Sequence, residues 1–164
     1  MSQSSSEPQP VRAGSHTLLV WFSLALAFLG IADAWYLTAS ALTHTALSCD
    51  LGAALDGCNI VAKSDYSHLF GLPLAMYGVA FYGATFVLSG LLLVMPQRIF
   101  YRALYLLGLA GVFASVIFLS IQFLLIKALC VYCIGSAIIS FVAFFVAHVL
   151  RKQSHTLRTG PLVL

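Results

Sequence analysis

Residues 130–150, CVYCIGSAIISFVAFFVAHVL, carry two signals at once: a C-x-x-C pair, Cys130 and Cys133, and an apolar run with no formal charge. A run of about 20 apolar residues is long enough to cross a bilayer as a helix. The run therefore predicts a membrane span with a dithiol at its mouth, and the other stretches sort themselves around that expectation.

Composition agrees. The chain of 164 residues is 61% hydrophobic and 8% charged, with a mean hydropathy of +0.99. Soluble domains carry about a quarter charged residues to hydrate their surfaces, so lipid must be the solvent here. The net charge is only +3 and no basic run is interleaved with aromatics, which argues against a nucleic-acid partner.

Three further apolar stretches precede the first. Residues 1–17 are rich in Ser, Gln and Pro and read as a disordered tail. Residues 18–40 form span one, 72–95 span two, 100–126 span three and 130–150 span four, with a polar tail at 151–164. A cleaved signal peptide is the rival reading of 18–40, but its apolar stretch is long enough to span. Pro73 suits a helix start, where the missing N–H costs nothing. Gly108, Gly111, Ala114 and Ser115 offer small positions for close helix packing. Asp33 is the one acid inside a span, read as a carboxyl bonded to Thr38 or to backbone, with direct catalysis as the second reading. The fold expected is an all-α integral membrane protein, a four-transmembrane-helix bundle with a long extracytoplasmic loop, 41–71, between helices one and two.

Topology follows from connection lengths and charge. Short links make spans two to four antiparallel neighbours, and an even number of spans puts both termini on one side. That side carries Arg12, Arg98, Arg102, Arg151, Lys152 and Arg158, whereas the other carries Lys63 and Lys127. The positive-inside rule then makes both termini cytoplasmic. Cys49 and Cys58, in the loop, share the outer face with Cys130 and Cys133. No other cysteine occurs.

On that face disulfides persist. A helix start favours a thiolate at Cys130 and Cys133, and Lys127 adds a nearby cation. The thiolate is the nucleophile of thiol–disulfide exchange. A hydrophobic two-electron acceptor dissolved in the adjoining lipid, a quinone, matches one dithiol-to-disulfide step. Ile134 follows Cys133 where a c-type haem site has His. A metal-handling protein and a structural membrane protein with static disulfides are the alternatives; the wide spacing of Cys49 and Cys58 is unlike usual zinc pairs.

Several of these residues together resemble the vitamin K epoxide reductase family, in particular its bacterial members. The matching features are Cys49 and Cys58, Ser64 beyond them, Phe70-Gly71-Leu72-Pro73 and Cys130-Val131-Tyr132-Cys133, within residues 18–150. The resemblance implies a four-helix bundle around a quinone, ubiquinone or menaquinone, with Ser64 near the quinone in a capping loop. It implies that Cys133 reacts with the quinone, Cys130 exchanges with Cys58, and Cys49 accepts electrons from a periplasmic thioredoxin-fold protein. Animal members carry a tyrosine where this chain has Ala137, which turns the expectation from epoxide towards quinone. Bacterial relatives often carry a fused thioredoxin-like domain, so the partner is expected here to be a separate protein. The function expected is a bacterial inner-membrane thiol oxidoreductase supporting disulfide formation.

Overall fold

A computed structural model describes residues 11–47 and 57–156. Four long helices dominate: α1 (Val11–Thr43), α3 (Leu74–Val94), α4 (Arg98–Ile121) and α5 (Val131–Thr156), with a short α2 (Cys58–Ala62) between the first two. Four helical stretches are long and apolar enough to cross a membrane, Gly14–Thr43, Leu74–Val94, Arg98–Ile126 (α4 and the turn that continues it) and Val131–Ser154. At about 1.5 Å per residue, the 21 residues of α3 reach about 32 Å, the thickness of a bilayer's hydrocarbon core.

The boundaries differ from the sequence expectation in a consistent direction. Helix α1 starts at Val11, so residues 11–17, expected in the tail, are helical. Helix α5 runs through Arg151 and Lys152, expected beyond the span, to Thr156. Apolar content locates a span's centre, whereas backbone hydrogen bonding carries a helix onward past the last apolar residue. Cys130 itself sits just ahead of α5 rather than within it.

Helix α1 packs on α3 and α5, and α4 packs on α5 and α3, closing a ring of four. Small residues set the approach. A Cβ on Gly30 of α1 would overlap the ring of Tyr82 on α3, and one on Gly111 of α4 would overlap Phe81. Several polar side chains inside the ring are paired, Ser23 with Ser89 at 2.9 Å between α1 and α3. The Tyr82 hydroxyl donates to the Ser136 carbonyl at 2.7 Å, and the Ser136 and Ser140 hydroxyls lie 2.8 and 3.0 Å from it. In lipid, unpaired polar groups are costly, and these bonds tie α3 to α5. Trp21, Phe28, Phe113 and Phe145 stay outside the bundle, more than half exposed, as lipid-facing side chains do.

Between α2 and α3 runs a 3₁₀ turn (Asp65–Ser67) and a small antiparallel hairpin, β1 (His68–Leu69) with β2 (Leu72–Pro73). Its two-residue turn places both Phe70 and Gly71 at positive φ, 52° and 80°. That is the turn whose twist matches the strands it joins. Pro73 closes β2 and caps α3, one residue earlier than a first helical position.

Substituting Gly30 by Val should lower the thermal unfolding midpoint of the detergent-solubilised protein, at a cost of about 1–3 kcal/mol for overpacking. Gly83→Ala, made where a Cβ meets open space, should change stability by less than about 0.5 kcal/mol. Equal effects of the two would sink this account of the α1–α3 contact.

Candidate functional site

The link from α4 to α5 builds the site. Helix α4 ends in a π turn, Gln122–Ile126, capped by Lys127 in the left-handed conformation, φ 56°. A π turn gains one residue per turn and recurs at functional positions. Here it turns Gln122, alone in its turn in being buried, towards the start of α5. The Cys130 N–H donates to Gln122 Oε1 at 3.1 Å. With that oxygen engaged, the Gln122 amide hydrogens are left to bond the Cys133 thiol. One amide thus touches both halves of the C-x-x-C.

Cys130 is also the cap of α5. Its carbonyl accepts the Ile134 N–H at 3.0 Å, and its Sγ lies 3.4 Å from the Cys133 N–H. A sulfur occupies the place where Ser or Asp usually accepts a bond from the third helical N–H. The side-chain hydrogen bond from Cys133, helped by backbone N–H groups of Cys133 and Tyr132, holds the Cys130 thiol below its ordinary value, at about 7, against the opposing effect of burial. The sequence reading gave Lys127 a part in this. In the structure Lys127 is exposed, and the lowering comes from the C-x-x-C turn itself.

The second thiol element packs on the first. Cys58 and Cys130 are buried with Leu47 in one cluster, flanked by Val61, Tyr132 and Cys133. Gly57 makes the approach feasible: a Cβ there would lie 2.6 Å from the Leu129 carbonyl oxygen. Asn59 closes the segment from the other side, accepting the Leu47 N–H at 2.9 Å and donating to the Leu47 carbonyl at 3.2 Å. Cys58 is in a disulfide, whereas Cys130 and Cys133 are free thiols. Cys49, which the sequence reading placed beside Cys58, lies within residues 48–56, outside the described residues.

Beneath the thiols a cavity of about 920 Å³ opens among all four long helices and the loop. Cys58, Cys130 and Cys133 line it, together with Gln122 and Ser64. Drug-sized ligands occupy cavities of about 300–1,000 Å³, so the space is large enough for a small organic ligand. Ser64 spends its hydrogen on the Val61 carbonyl at 2.7 Å, so it faces the cavity as an acceptor. Along α5, Cys133 is followed on the cavity wall by Ser136, Ala137 and Ser140. Among the described residues no three of His, Cys, Asp or Glu come together as metal ligands.

Two residues stand differently from the sequence reading. Asp33 does not bond Thr38, whose hydroxyl donates to the Ala34 carbonyl at 2.7 Å; Asp33 Oδ2 is buried without a partner. Asp33 is absent from the cavity wall. Gln122 was missed, although a lone amide near the end of an apolar run, eight residues before a C-x-x-C, was a visible signal.

In the reduced protein, alkylation of Cys130 should titrate with a midpoint near 7. Removing its bonding partner in Cys133→Ala should raise that midpoint towards the ordinary thiol value of about 8.5. Lys127→Glu should leave it in place. Gln122→Leu strands a buried N–H, and should cost about 1–3 kcal/mol of stability; a Cys133→Ala midpoint that stays at 7 would refute the hydrogen-bond explanation.

Compared with known families, residues 21–148 match the profile of the vitamin K epoxide reductase family. No curated protein matches the chain.

Proposed function

Because the chain belongs to the vitamin K epoxide reductase family, and is on that ground a membrane thiol oxidoreductase, we propose that it passes electrons from a protein dithiol through two cysteine pairs to a membrane quinone. The observation that carries this reading is the packing of Cys58 and the free dithiol Cys130/Cys133 together at the head of a cavity among the four helices.

The relay runs as follows. A thioredoxin-fold dithiol protein reduces the Cys49–Cys58 disulfide. The resulting dithiol attacks Cys130 of a Cys130–Cys133 disulfide, and two exchanges leave Cys130 and Cys133 reduced and the loop pair oxidised. In this relay a disulfide at Cys58 beside a reduced Cys130/Cys133 pair is the state that precedes quinone reduction. Cys133 then attacks the quinone ring held in the cavity. Cys130, favoured as the thiolate, would attack Cys133 Sγ, forming the disulfide as the sulfur–ring bond breaks and its electron pair stays with the ring. Two electrons and two protons pass from the dithiol to the quinone, which leaves as quinol.

In this reading ubiquinone or menaquinone occupies the cavity, with Gln122 donating at the Cys133 end and Ser64 accepting from the loop. The protein sits in a bacterial inner membrane with its thiol end in the periplasm. The charge distribution supports that orientation: the opposite end bears Arg98, Arg102, Arg151 and Lys152, and the thiol end Lys63 and Lys127. Ala137, small and 4% exposed on the cavity wall, supports quinone rather than epoxide as the substrate.

Quinone absorbance, followed with purified protein and a reduced thioredoxin-fold protein, tests the relay. Cys133→Ala should abolish turnover with every donor. Cys49→Ala should abolish turnover with the protein donor yet retain it with a small dithiol that reaches Cys130–Cys133 directly. Turnover that persists in Cys133→Ala would overturn the proposal.

A further inference from the structure

At the end of the bundle opposite the thiols, a second cavity of about 170 Å³ is lined by Arg98, Tyr101, Arg102, Arg151 and Ser154. Three arginines from two helices contribute to its wall. Arg98 and Arg102 stand one turn apart at the start of α4, and Arg151 faces them from the last turns of α5. Among the described residues none of the three has a carboxylate partner. The acids in the described residues, Asp33 and Asp65, belong to the half of the molecule that holds the thiols.

Like charges gathered without a counter-charge repel, and a bound anion removes that cost. The two other side chains that line the cavity, Tyr101 and Ser154, are already engaged. Helix α4 begins at Arg98 with no side chain capping its first N–H groups, so its positive end adds to the arginines. Arg151 is held in place over the Tyr105 ring, 4.4 Å from its centroid. The Tyr101 hydroxyl is bonded to His16 at 2.6 Å, and the Ser154 hydroxyl donates to the Arg151 carbonyl at 2.7 Å. Binding strength therefore resides in the guanidinium groups, whose planar forks fit phosphate oxygens in pairs.

The surroundings say what carries the phosphate. Val94, Met95 and Ile99 flank Arg98 and are 78%, 44% and 61% exposed. A charged cavity bordered by exposed apolar side chains at the end of a span matches the boundary where lipid headgroup meets acyl chain. We propose that this cavity binds the phosphate group of an anionic phospholipid headgroup. The site is separate from the thiol cavity and does not depend on the electron relay proposed above.

The test is lipid retention. Protein reconstituted in phosphatidylcholine vesicles containing phosphatidylglycerol is extracted, and the lipid that remains bound is counted by native mass spectrometry. Wild type should retain phosphatidylglycerol in preference to phosphatidylcholine. In R102Q/R151Q that preference should fall about tenfold or more. Lys152→Gln removes one charge from the same turn of α5 but outside the cavity lining, and should leave the preference unchanged. Equal retention by wild type and R102Q/R151Q, or equal losses in R102Q/R151Q and K152Q, would overturn the proposal. A thermal midpoint raised by inorganic phosphate alone, with no preferential retention of phosphatidylglycerol, would overturn the lipid assignment in favour of free phosphate. A fold check is built in: R102K/R151K keeps the charge and loses the forks, and should retain less phosphatidylglycerol than wild type at an unchanged unfolding midpoint.

Discussion

The bond from the Cys130 N–H to Gln122 Oε1 fixes the geometry on which the thiol chemistry rests. An amide buried at the end of a span has few partners, and leaving it unpaired in lipid is expensive. The Gln122 amide resolves this by bonding the backbone on one side and a thiol on the other. The π turn is the backbone's contribution: a regular α-helical turn would carry the residue to a different angle around α4. Lys127 then accepts a left-handed conformation, with its N–H on the Gln122 carbonyl, so the chain reverses within a few residues. Strain in a non-glycine residue is tolerated where the surrounding structure determines it.

The cysteine cluster is held by an apolar cluster around Leu47 and by a few backbone contacts. Gly57 lets α2 approach the Leu129 carbonyl, and Asn59 clasps the Leu47 peptide. These contacts are short and polar, and the segment they secure is only five residues of helix.

Much of this was legible in the sequence. Apolar runs of spanning length identified the four helices, since lipid permits few alternatives. The C-x-x-C at the start of the last run located the end of the bundle where Cys58, Cys130 and Cys133 come together. Helix ends were not legible, because α1 and α5 continue beyond their apolar stretches through residues such as Ser15, Arg151 and Lys152. Nor was the part of Gln122: its burial depends on a π turn, and no propensity marks that turn in advance. Asp33 illustrates the converse. Its neighbour Thr38 offered a plausible bond in sequence, but a threonine inside a helix readily donates to the carbonyl four residues back, as Thr38 does.

The cavity wall explains how small residues on one helix prepare a site for a ring. Cys133, Ser136, Ala137 and Ser140 lie on the cavity side of α5, and none extends far from the backbone. The two serines are turned to Tyr82, whose hydroxyl donates to the Ser136 carbonyl and can accept from both serine hydroxyls. Their hydrogens are thereby used within the bundle. Below Cys133, α5 therefore offers the cavity a wall of short side chains. A bulky phenol at residue 137 would fill part of that space and present a new hydroxyl beside the ring. Ala137 thus leaves volume, and no side-chain hydrogen-bonding group, at that point of the cavity wall.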